Sequence, residues 1–435
     1  MPPRLLQRIV ENSIGAVKPS VLFEKGFHLC GDGLDAFGKE FDLSRCRKIK
    51  CVAIGKSAES MANEVERKLG GRVTGIIATP IQKHFDLKRF LFFKTGHPFP
   101  DKVSTDAARE IYSLVSSCGR EDLLIFLISG GGSAAAFLPV NGVSLSEVNK
   151  TLKILLDSGV PIDKINLLRR HLSLLGGGKL AALSPESEKI SLIISDVVGD
   201  DLPSIASGPT VEDLTTPSDA YHFLRESGLT NKVPKSIAKT LIELSRKVSK
   251  INLKRDFIRI IASNLDALNA AERAGVEEGY NTLVTTRFLD LNTESTADLL
   301  VSIARSIEFD GRQVPALMLL GGETTVKVTG TGKGGRNQQL VLETLRRLAE
   351  LTAKGIFLGR TTFFSFGTDG KDGNSSSAGA YVSAEVLKNV KGGLEEIKLH
   401  ISRNDSHSFF KKYGGLIMTG PTDTNVMDIM GIIVE

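Results

Sequence analysis

LLIFLISGGGSAAA, residues 123–136, joins an apolar run to three consecutive glycines, which lie between two serines and precede a run of alanines. An apolar run without alternation is typical of a strand that is covered on both faces in a parallel sheet. The stretch therefore predicts a strand, a glycine turn and a helix. Consecutive glycines expose backbone N–H groups, and the positive end of a helix attracts anions. We predict that Ser129–Ser133 binds a phosphate or carboxylate, with a plain strand–helix turn as the alternative.

The same pattern of short apolar runs and amphipathic stretches continues along the chain. Further predicted strands are Ile49–Ile54, Thr74–Thr79, Ser191–Ser195, Phe257–Ala262, Thr282–Thr285, Pro315–Leu320, Phe363–Phe366 and Leu416–Thr419. Between them lie helical patterns such as Asn337–Ala353, whose apolar residues recur on one face. Alternation of strands and helices predicts a doubly wound α/β fold. Ligands in such folds collect beyond the carboxyl ends of the strands.

A polar, proline-containing segment at residues 231–255 is the best candidate for a domain boundary. We predict a large Rossmann-like domain over residues 1–240 and a smaller C-terminal α/β domain over residues 241–435. The length supports two or three domains with sizeable cores.

Composition excludes several classes of protein. The 435 residues include 55 Lys+Arg and 50 Asp+Glu, so the formal charge of +5 argues against general nucleic-acid binding. The four cysteines form no C-x-x-C pair, which disfavours a zinc site or a disulfide framework. No apolar run is long enough to cross a bilayer, and the N-terminal residues lack the apolar core of a signal peptide. We expect a cytoplasmic protein without a membrane partner.

Charged residues follow several of the predicted strands. Gly55-Lys56-Ser57 resembles the end of a phosphate-binding P-loop, but Lys50 stands where the first glycine is required, so a P-loop is rejected. Lys56 remains a candidate to neutralise a phosphate or carboxylate, with a solvated surface charge as the alternative. Arg169 and Lys179 flank a second glycine trio, and at least one basic residue there is expected to reach the ligand.

Acidic loops follow two other strands. Asp196 leads into one of them, and Asp369 and Asp372 lie between glycines in the other. Mg²⁺ takes one or two carboxylates plus phosphate oxygens and water, so these loops predict metal binding. A helix cap by Asp196 and a simple turn at Asp369 are the alternatives.

The sequence G-x-G-x-x-G occurs at residues 330–335, directly before Arg336. The acidic residue that a dinucleotide site needs about 20 positions later is missing, so the match is weak. Arg336 is more informative, because a guanidinium binds phosphate oxygens in pairs. No G-x-S-x-G sequence is present, so a hydrolase is not supported.

Taken in order, these motifs resemble the two-domain glycerate kinases, which have a large N-terminal α/β domain and a C-terminal MOFRL domain. The matching segments are Gly55-Lys56, Ser129–Ser133, Arg169–Leu172, Gly176–Lys179, Ser195–Asp201, Ser207–Thr210, Gly321–Thr324, Gly335–Gln339, Gly367–Gly373 and Gly420–Asn425. Two departures are visible. Asn374–Ser377 stands where many relatives have Pro-Thr-Asp-Ala, and Asp423 stands where glycine is common.

The resemblance implies ATP-dependent phosphorylation of D-glycerate in an interdomain cleft, and similarity to the archaeal-type members implies 2-phosphoglycerate as product. The expected catalytic residues are Lys56, Arg336 and Asp196. The expected substrate- or nucleotide-binding residues are Ser129, Gly130, Gly131, Gly132, Ser133, Arg169, Lys179, Glu323, Asn337 and Asp369. The expected Mg²⁺ ligands are Asp196, Asp369 and Asp372. We expect a monomer or homodimer.

Two alternatives remain open on the sequence alone. One is a nicotinamide-dependent hydroxy-acid oxidoreductase, supported by the glycines at 330–335. The other is a non-catalytic sugar-phosphate-binding protein, for which glycine loops would suffice without clustered acids.

Overall fold

The computed structural model describes residues 3–83, 85–247, 251, 253, 256–311 and 314–435. The chain forms two compact units. The first, here called the N-terminal unit, is Pro19–Ile261. The second, the C-terminal unit, combines Met1–Lys18 with Ala262–Glu435.

The helices and strands are numbered along the whole chain. The helices are α1 Arg4–Ala16, α2 Pro19–Gly26, α3 Ala58–Leu69, α4 Lys102–Ser116, α5 Gly132–Ala135, α6 Leu145–Asp157, α7 Ile162–Leu172, α8 Lys179–Ala182, α9 Pro217–Glu226, α10 Lys235–Ser245, α11 Asn264–Glu277, α12 Thr293–Asp310, α13 Arg336–Ala353, α14 Ala384–Asn389, α15 Gly393–Ser402 and α16 Ser406–Tyr413. The strands are β1 Phe27–Cys30, β2 Gly33–Ala36, β3 Lys39–Asp42, β4 Lys48–Ile54, β5 Val73–Thr79, β6 Phe90–Lys94, β7 Asp122–Ile128, β8 Glu188–Ile194, β9 Asp256–Ala262, β10 Asn281–Leu289, β11 Ala316–Gly322, β12 Thr361–Gly367, β13 Gly379–Ser383, β14 Leu416–Ile417 and β15 Asp428–Val434.

The large sheet of the N-terminal unit has the order β6-β5-β4-β7-β8-β9. Counted along the chain from β4, this is 3-2-1-4-5-6, the order of a doubly wound Rossmann sheet. The pairs from β6 to β8 are parallel, as the sequence predicted. The order in which successive strands are added to the sheet reverses between the parallel neighbours β4 and β7, so their carboxyl ends, Ile54 and Ile128, mark the position where ligands bind in this fold.

Helices cover the faces of this sheet because the strands are apolar on both sides. All seven residues of β7 are buried. On one face, the sheet packs against the apolar stripe of α4, which includes Ala107, Ile111 and Val115. A second apolar cluster joins α6, α7, α9 and α10. Helix α6 begins where the sequence provides a capping box, formed by Ser144 and Glu147.

The sheet of the C-terminal unit has the order β10-β11-β15-β12-β13-β14. Within the described residues its only parallel pair is β10 with β11. This sheet is therefore mixed, although alternating strands and helices are typical of parallel sheets. Strand β15 pairs with both β11 and β12 and is buried along its whole length. Helix α13 buries Leu340, Val341 and Leu345, as its predicted apolar face requires.

The two compact units divide the chain differently from the predicted boundary at residues 240 and 241. Strand β9 still belongs to the large sheet. It is joined to β8 by a buried ion pair between Lys189 and Asp256, whose N–O distance is 3.0 Å. Residues 248–250, 252, 254 and 255 of the predicted boundary segment lie outside the described residues.

Helix α1 packs on α11 in the C-terminal unit. Leu6 and Ile9 of α1 are fully buried. The Arg8 guanidinium also forms ion pairs with Glu277 and Glu278 near the end of α11. The sequence did not predict this placement, because an amphipathic helix does not indicate which apolar surface it covers.

Within the described part of the chain, every helix is too short or too polar to pass through a membrane.

We predict that Leu6→Ala destabilises the C-terminal unit. Removing a fully buried leucine side chain costs about 2–5 kcal/mol of unfolding free energy, because it leaves a cavity. Urea unfolding should show a lower midpoint for this variant. Glu11→Ala, on the exposed side of the same helix, is the matched control, and its free energy of unfolding should stay within about 0.5 kcal/mol of the wild-type value. Equal midpoints for Leu6→Ala and Glu11→Ala would contradict the burial of α1.

Candidate functional site

The ends of β4 and β7 are held together by hydrogen bonds. The Ser129 amide donates to the Ile54 carbonyl at 3.0 Å, and the Lys56 amide donates to the Gly130 carbonyl at 2.8 Å. The Ser57 amide donates to the Ser129 hydroxyl oxygen at 3.0 Å. The predicted binding loop and Lys56 therefore lie side by side at the reversal point of the sheet.

Two of the glycines here are required by close contacts. Gly55 has φ +114°, and a Cβ atom on it would lie 2.3 Å from the Ser129 carbonyl oxygen. A Cβ on Gly130 would lie 1.6 Å from Oδ2 of Asp196. Asp196, which follows β8, is therefore placed directly against the glycine loop. This placement brings a carboxylate, a lysine and a glycine turn together, as the sequence predicted.

The side chains of Lys56 and His97 lie close to Gly131. This glycine has φ +80°, and a Cβ there would lie 3.4 Å from Cγ of Lys56 and 3.2 Å from Cδ2 of His97. Among the described residues, the Gly131 amide donates to no partner, so it is available to an anion.

His97 is a site residue that the sequence analysis missed. Desolvation of its ring, followed by the nearby cations Lys56 and Arg169, lowers the pKa of His97 to about 4. The imidazole is therefore neutral at pH 7 and can accept a hydrogen bond. His97 follows strand β6, and a position just after a strand could have identified it as a site residue. Strand β6 was not predicted from the sequence, so this indication was missed.

Arg169 lines a small cavity behind the glycine loop, together with Ser133 and Ser207. The hydroxyl of Ser207 donates to that of Ser133 at 2.8 Å. Burial lowers the pKa of Arg169. Among the residues that the structure describes, the guanidinium makes long contacts, at 3.4 Å to Oδ1 of Asn166 and 3.5 Å to the Pro98 carbonyl.

Lys179, which the sequence predicted to bind a ligand, is held by the backbone of the protein itself. Its ammonium donates to the carbonyls of Arg170, Ser173 and Gly176 at 2.6–3.0 Å. These three bonds use all three of its protons. Burial lowers the pKa of Lys179 to about 8.

The charged neighbours of Lys179 also belong to a buried cluster. Asp213 accepts a hydrogen bond from Arg170 at 2.9 Å and lies 3.6 Å from His171. The glycine trio at 176–178 packs closely against this region, since a Cβ on Gly178 would lie 2.9 Å from the Val211 carbonyl. The second trio is therefore explained by packing within the protein.

In the C-terminal unit, the candidate residues meet at one edge of the mixed sheet. Gly322 at the end of β11 and Gly367 at the end of β12 both pair with Asp428, the first residue of β15. Glu323 and Asp369 follow these strand ends, so the register brings them to the same edge.

Arg336, at the start of α13, is bound to two acids at this edge. Its Nε and Nη2 atoms donate to Asp428 at 2.5 and 3.1 Å, and Nη2 also donates to Glu323 at 2.7 Å. Burial lowers the pKa of Arg336, but Asp428 and Glu323 raise it by a larger amount, so the guanidinium stays charged. Within the described residues its Nη1 atom has no hydrogen-bond partner. The sequence analysis missed Asp428, because it did not recognise β15 as a strand.

Asp372, which the sequence predicted to bind a metal, caps helix α13 in the structure. Its oxygens accept hydrogen bonds from the backbone amides of Asn337 and Gln338 at 3.1 and 2.8 Å, and also from both side-chain amides. Burial raises the pKa of Asp372 to about 6. Asn337 was predicted to bind a ligand, but its buried side chain is hydrogen-bonded to Asp372 and Ser365.

The glycines at residues 330–335 are explained by packing rather than by a dinucleotide. Cβ atoms on Gly330 and Gly332 would lie 2.2 Å from the Arg403 carbonyl and 2.5 Å from Cβ of Asp405. The amides at the start of α13, where a pyrophosphate would bind, already bind Asp372. The structure therefore does not support the reading of G-x-G-x-x-G as a nicotinamide site.

In the part of the chain that the structure describes, no group of three or more His, Cys, Asp or Glu is arranged to hold a metal ion. Asp196 and Asp369 each follow a strand, and each could supply one carboxylate. Mg²⁺ in phosphoryl-transfer sites is bound in this way, with phosphate oxygens and water completing its shell.

Comparison with known proteins identifies the family. A family model described as a domain of unknown function, DUF4147, matches residues 5–242, and the MOFRL family model matches residues 316–428. A Pyrococcus horikoshii protein named glycerate 2-kinase is 35% identical over 434 residues, covering 98% of this chain and 96% of its own. The chain belongs to the two-domain glycerate kinases.

Further comparisons match most of this chain. A crystal structure of glycerate kinase from Thermotoga maritima has a TM-score of 0.83 and 32% identity, and 99% of each chain is covered. An Agrobacterium vitis protein that is named provisionally as a hydroxypyruvate reductase is 34% identical over 392 residues, covering 88% of this chain and 87% of its own. The family and the two α/β domains predicted from the sequence are confirmed.

We predict that Asp372→Asn changes the pH dependence of stability. Because its pKa is raised to about 6, the folded protein binds the Asp372 proton more tightly than the unfolded chain does. The proton on Asp372 therefore contributes about 1–3 kcal/mol to the free energy of unfolding. This contribution is fully present below about pH 4 and is lost as the pH rises through about 6. Asp372→Asn should remove this part of the pH dependence in urea unfolding.

Asp310→Asn, at an exposed position of the same unit, is the matched control and should keep the wild-type profile. The Mg²⁺ concentration for half-maximal activity should be unchanged in Asp372→Asn. A large rise in the Mg²⁺ concentration for half-maximal activity would instead indicate that Asp372 binds the metal.

Proposed function

We propose that this glycerate kinase transfers the γ-phosphoryl group of ATP to the 2-hydroxyl of D-glycerate, with Mg²⁺. The observation that carries the proposal is the reversal point of the Rossmann sheet. There the triple-glycine loop, Lys56 and Asp196 lie together in a chain that belongs to the glycerate kinases.

The reaction is a direct displacement. The 2-hydroxyl oxygen forms a bond to the γ-phosphorus while the bond from that phosphorus to the bridging oxygen of ADP breaks. The hydroxyl proton passes to a carboxylate of the site and then to water. Phosphoryl transfer depends chiefly on positioning and on neutralising charge, and these are the tasks we assign to the site residues.

Lys56 and the Gly131 amide supply positive charge and a hydrogen-bond donor in the N-terminal unit. In the C-terminal unit, Arg336 supplies a guanidinium whose Nε and Nη2 are bound to Asp428. This leaves Nη1 to bind an oxygen of the transferring group. A fixed guanidinium loses little conformational freedom when it binds, so it stabilises the transition state at low entropic cost.

Mg²⁺, when bound, would offset the negative charge of the phosphate groups. Asp196 and Asp369 fit as its protein ligands, because both are oxygen donors at strand ends that the fold uses for ligands. Of the two, Asp196 lies against the glycine loop, where phosphate would bind.

The assay that tests the function uses the full chain with ATP, Mg²⁺ and D-glycerate. We expect release of ADP in step with formation of 2-phosphoglycerate, identified by ³¹P and ¹³C NMR of the product. NADH or NADPH oxidation with hydroxypyruvate, without ATP, would instead support the oxidoreductase alternative. Binding of glycerate or phosphoglycerate without turnover would support a non-catalytic protein.

We also propose a cytoplasmic location. We propose that the protein is a monomer or a homodimer, and light scattering would determine which of the two it is.

We predict that Lys56→Ala and Arg336→Lys each lower kcat by about 10²–10³-fold, the usual effect of losing one transition-state donor. Arg336→Lys keeps the charge beside Asp428, so the loss reports the paired geometry of the guanidinium rather than an unpaired buried acid. Exposed cations of the same units provide controls, and Lys102→Ala and Arg305→Ala should keep wild-type turnover. Near-normal turnover in both site variants would disprove the assignment.

A further inference from the structure

We propose that the carboxylate of the acceptor substrate binds Arg169 in the cavity behind the triple-glycine loop. This inference rests on the proposed function and assigns the acceptor to the N-terminal unit. It makes Arg169 the residue by which the enzyme distinguishes a hydroxy acid from a neutral polyol.

The cavity has the chemistry of a site for a small polar acid. Ser133, Ser207 and Arg169 line it, and the two serine hydroxyls are hydrogen-bonded to each other. Phe137 and Leu175 add apolar surface to the lining. A charged group with hydroxyl partners on an apolar background is the usual composition of a small-molecule site.

Arg169 differs from two nearby or comparable arginines, Arg170 and Arg336, because no acidic residue among the described residues pairs with it. Arg170, its neighbour on α7, pairs with Asp213, and Arg336 pairs with Asp428. Among the described residues no Asp or Glu forms an ion pair with Arg169, whose contacts to Asn166 and Pro98 are long and uncharged. A partly buried guanidinium without an acid is costly, and a bound carboxylate would offset that cost.

The cavity is also next to the reacting end of the site. Gly132 and Ser133 line it and are the residues that follow Gly131, which lies close to the side chains of Lys56 and His97. A carboxylate on Arg169 would therefore direct the adjacent hydroxyl-bearing carbon toward the glycine loop.

The back of the cavity has an unusual backbone. Ala206 and Ser207 have φ values of +52° and +63°, in the left-handed region that non-glycine residues seldom adopt. This conformation places Ala206 against Gly132, where a Cβ on the glycine would lie 2.6 Å from Cβ of Ala206. Strained backbone of this kind is concentrated at ligand-binding sites.

The test compares Arg169→Gln and Arg169→Lys with the wild type. We expect Arg169→Gln to raise the KM for D-glycerate by about 10–10²-fold, as the loss of hydrogen bonds to a charged group implies, while the KM for ATP stays within about twofold. Arg169→Lys should recover part of the loss, because it restores the charge without the paired donors. Lys164→Gln, an exposed cation on the same helix, should leave both KM values unchanged.

Calorimetric titration of D-glycerate in the absence of ATP tests the site independently of turnover. Wild-type binding that is weakened in Arg169→Gln supports the inference even if the wild type releases no ADP, a result that would overturn only the proposed function. Wild-type kinase activity with an unchanged KM for D-glycerate in Arg169→Gln would overturn the inference alone. A raised KM for ATP with an unchanged KM for D-glycerate would also overturn it, by assigning Arg169 to the nucleotide.

Discussion

The site in the N-terminal unit depends on one constraint, the parallel pairing of β4 with β7 at the centre of the sheet. This pairing brings the chain out of two neighbouring strands at the same edge, where backbone hydrogen bonds tie Lys56 and Ser129 to the opposite strand end. The close approach leaves no room for a side chain at Gly55, while the Asp196 carboxylate leaves none at Gly130. The lysine and the glycine loop are therefore placed by the register of β4 with β7, and the acid is brought to them by the pairing of β8 with β7.

The C-terminal unit reaches a comparable arrangement by different means. Its sheet is mixed, so acids come from the end of one strand and the start of its antiparallel neighbour. Asp428 and Glu323 then bind one guanidinium, that of Arg336. A buried carboxylate that loses its partner is strongly destabilising, so this cation and its acids form one structural unit.

Much of this could be predicted from the sequence, because the chemistry follows directly after apolar runs. Lys56, Ser129 and Asp196 were located by that rule, and all three lie at the reversal point. The rule also predicted a ligand role for Asp372, and basic residues around a glycine trio predicted one for Lys179. In the structure Asp372 is buried and caps α13, and the partly buried Lys179 donates to three backbone carbonyls. A sequence displays residue types but not burial, and a capping acid and a ligand acid look alike until their hydrogen bonds are known.

The missed residues, His97 and Asp428, have a shared cause. His97 follows strand β6, and Asp428 is the first residue of strand β15. Because neither strand was recognised in the sequence, neither residue was seen to lie at a strand end. The departures from the family pattern were visible in the sequence, but their conformations were not. Asp423, where relatives commonly have glycine, has φ +70°, in the region that glycine adopts without steric cost.

The placement of α1 has a consequence for the order in which the protein is assembled on the ribosome. The helix is synthesised before the whole of Pro19–Ile261, whereas its partner α11 is synthesised after it. More than 240 residues are therefore translated after α1 before α11, the helix on which its apolar side packs, has been synthesised. Domains tend to fold as they emerge, so the contiguous Rossmann unit can mature first, while the nascent α1 remains a candidate for chaperone binding.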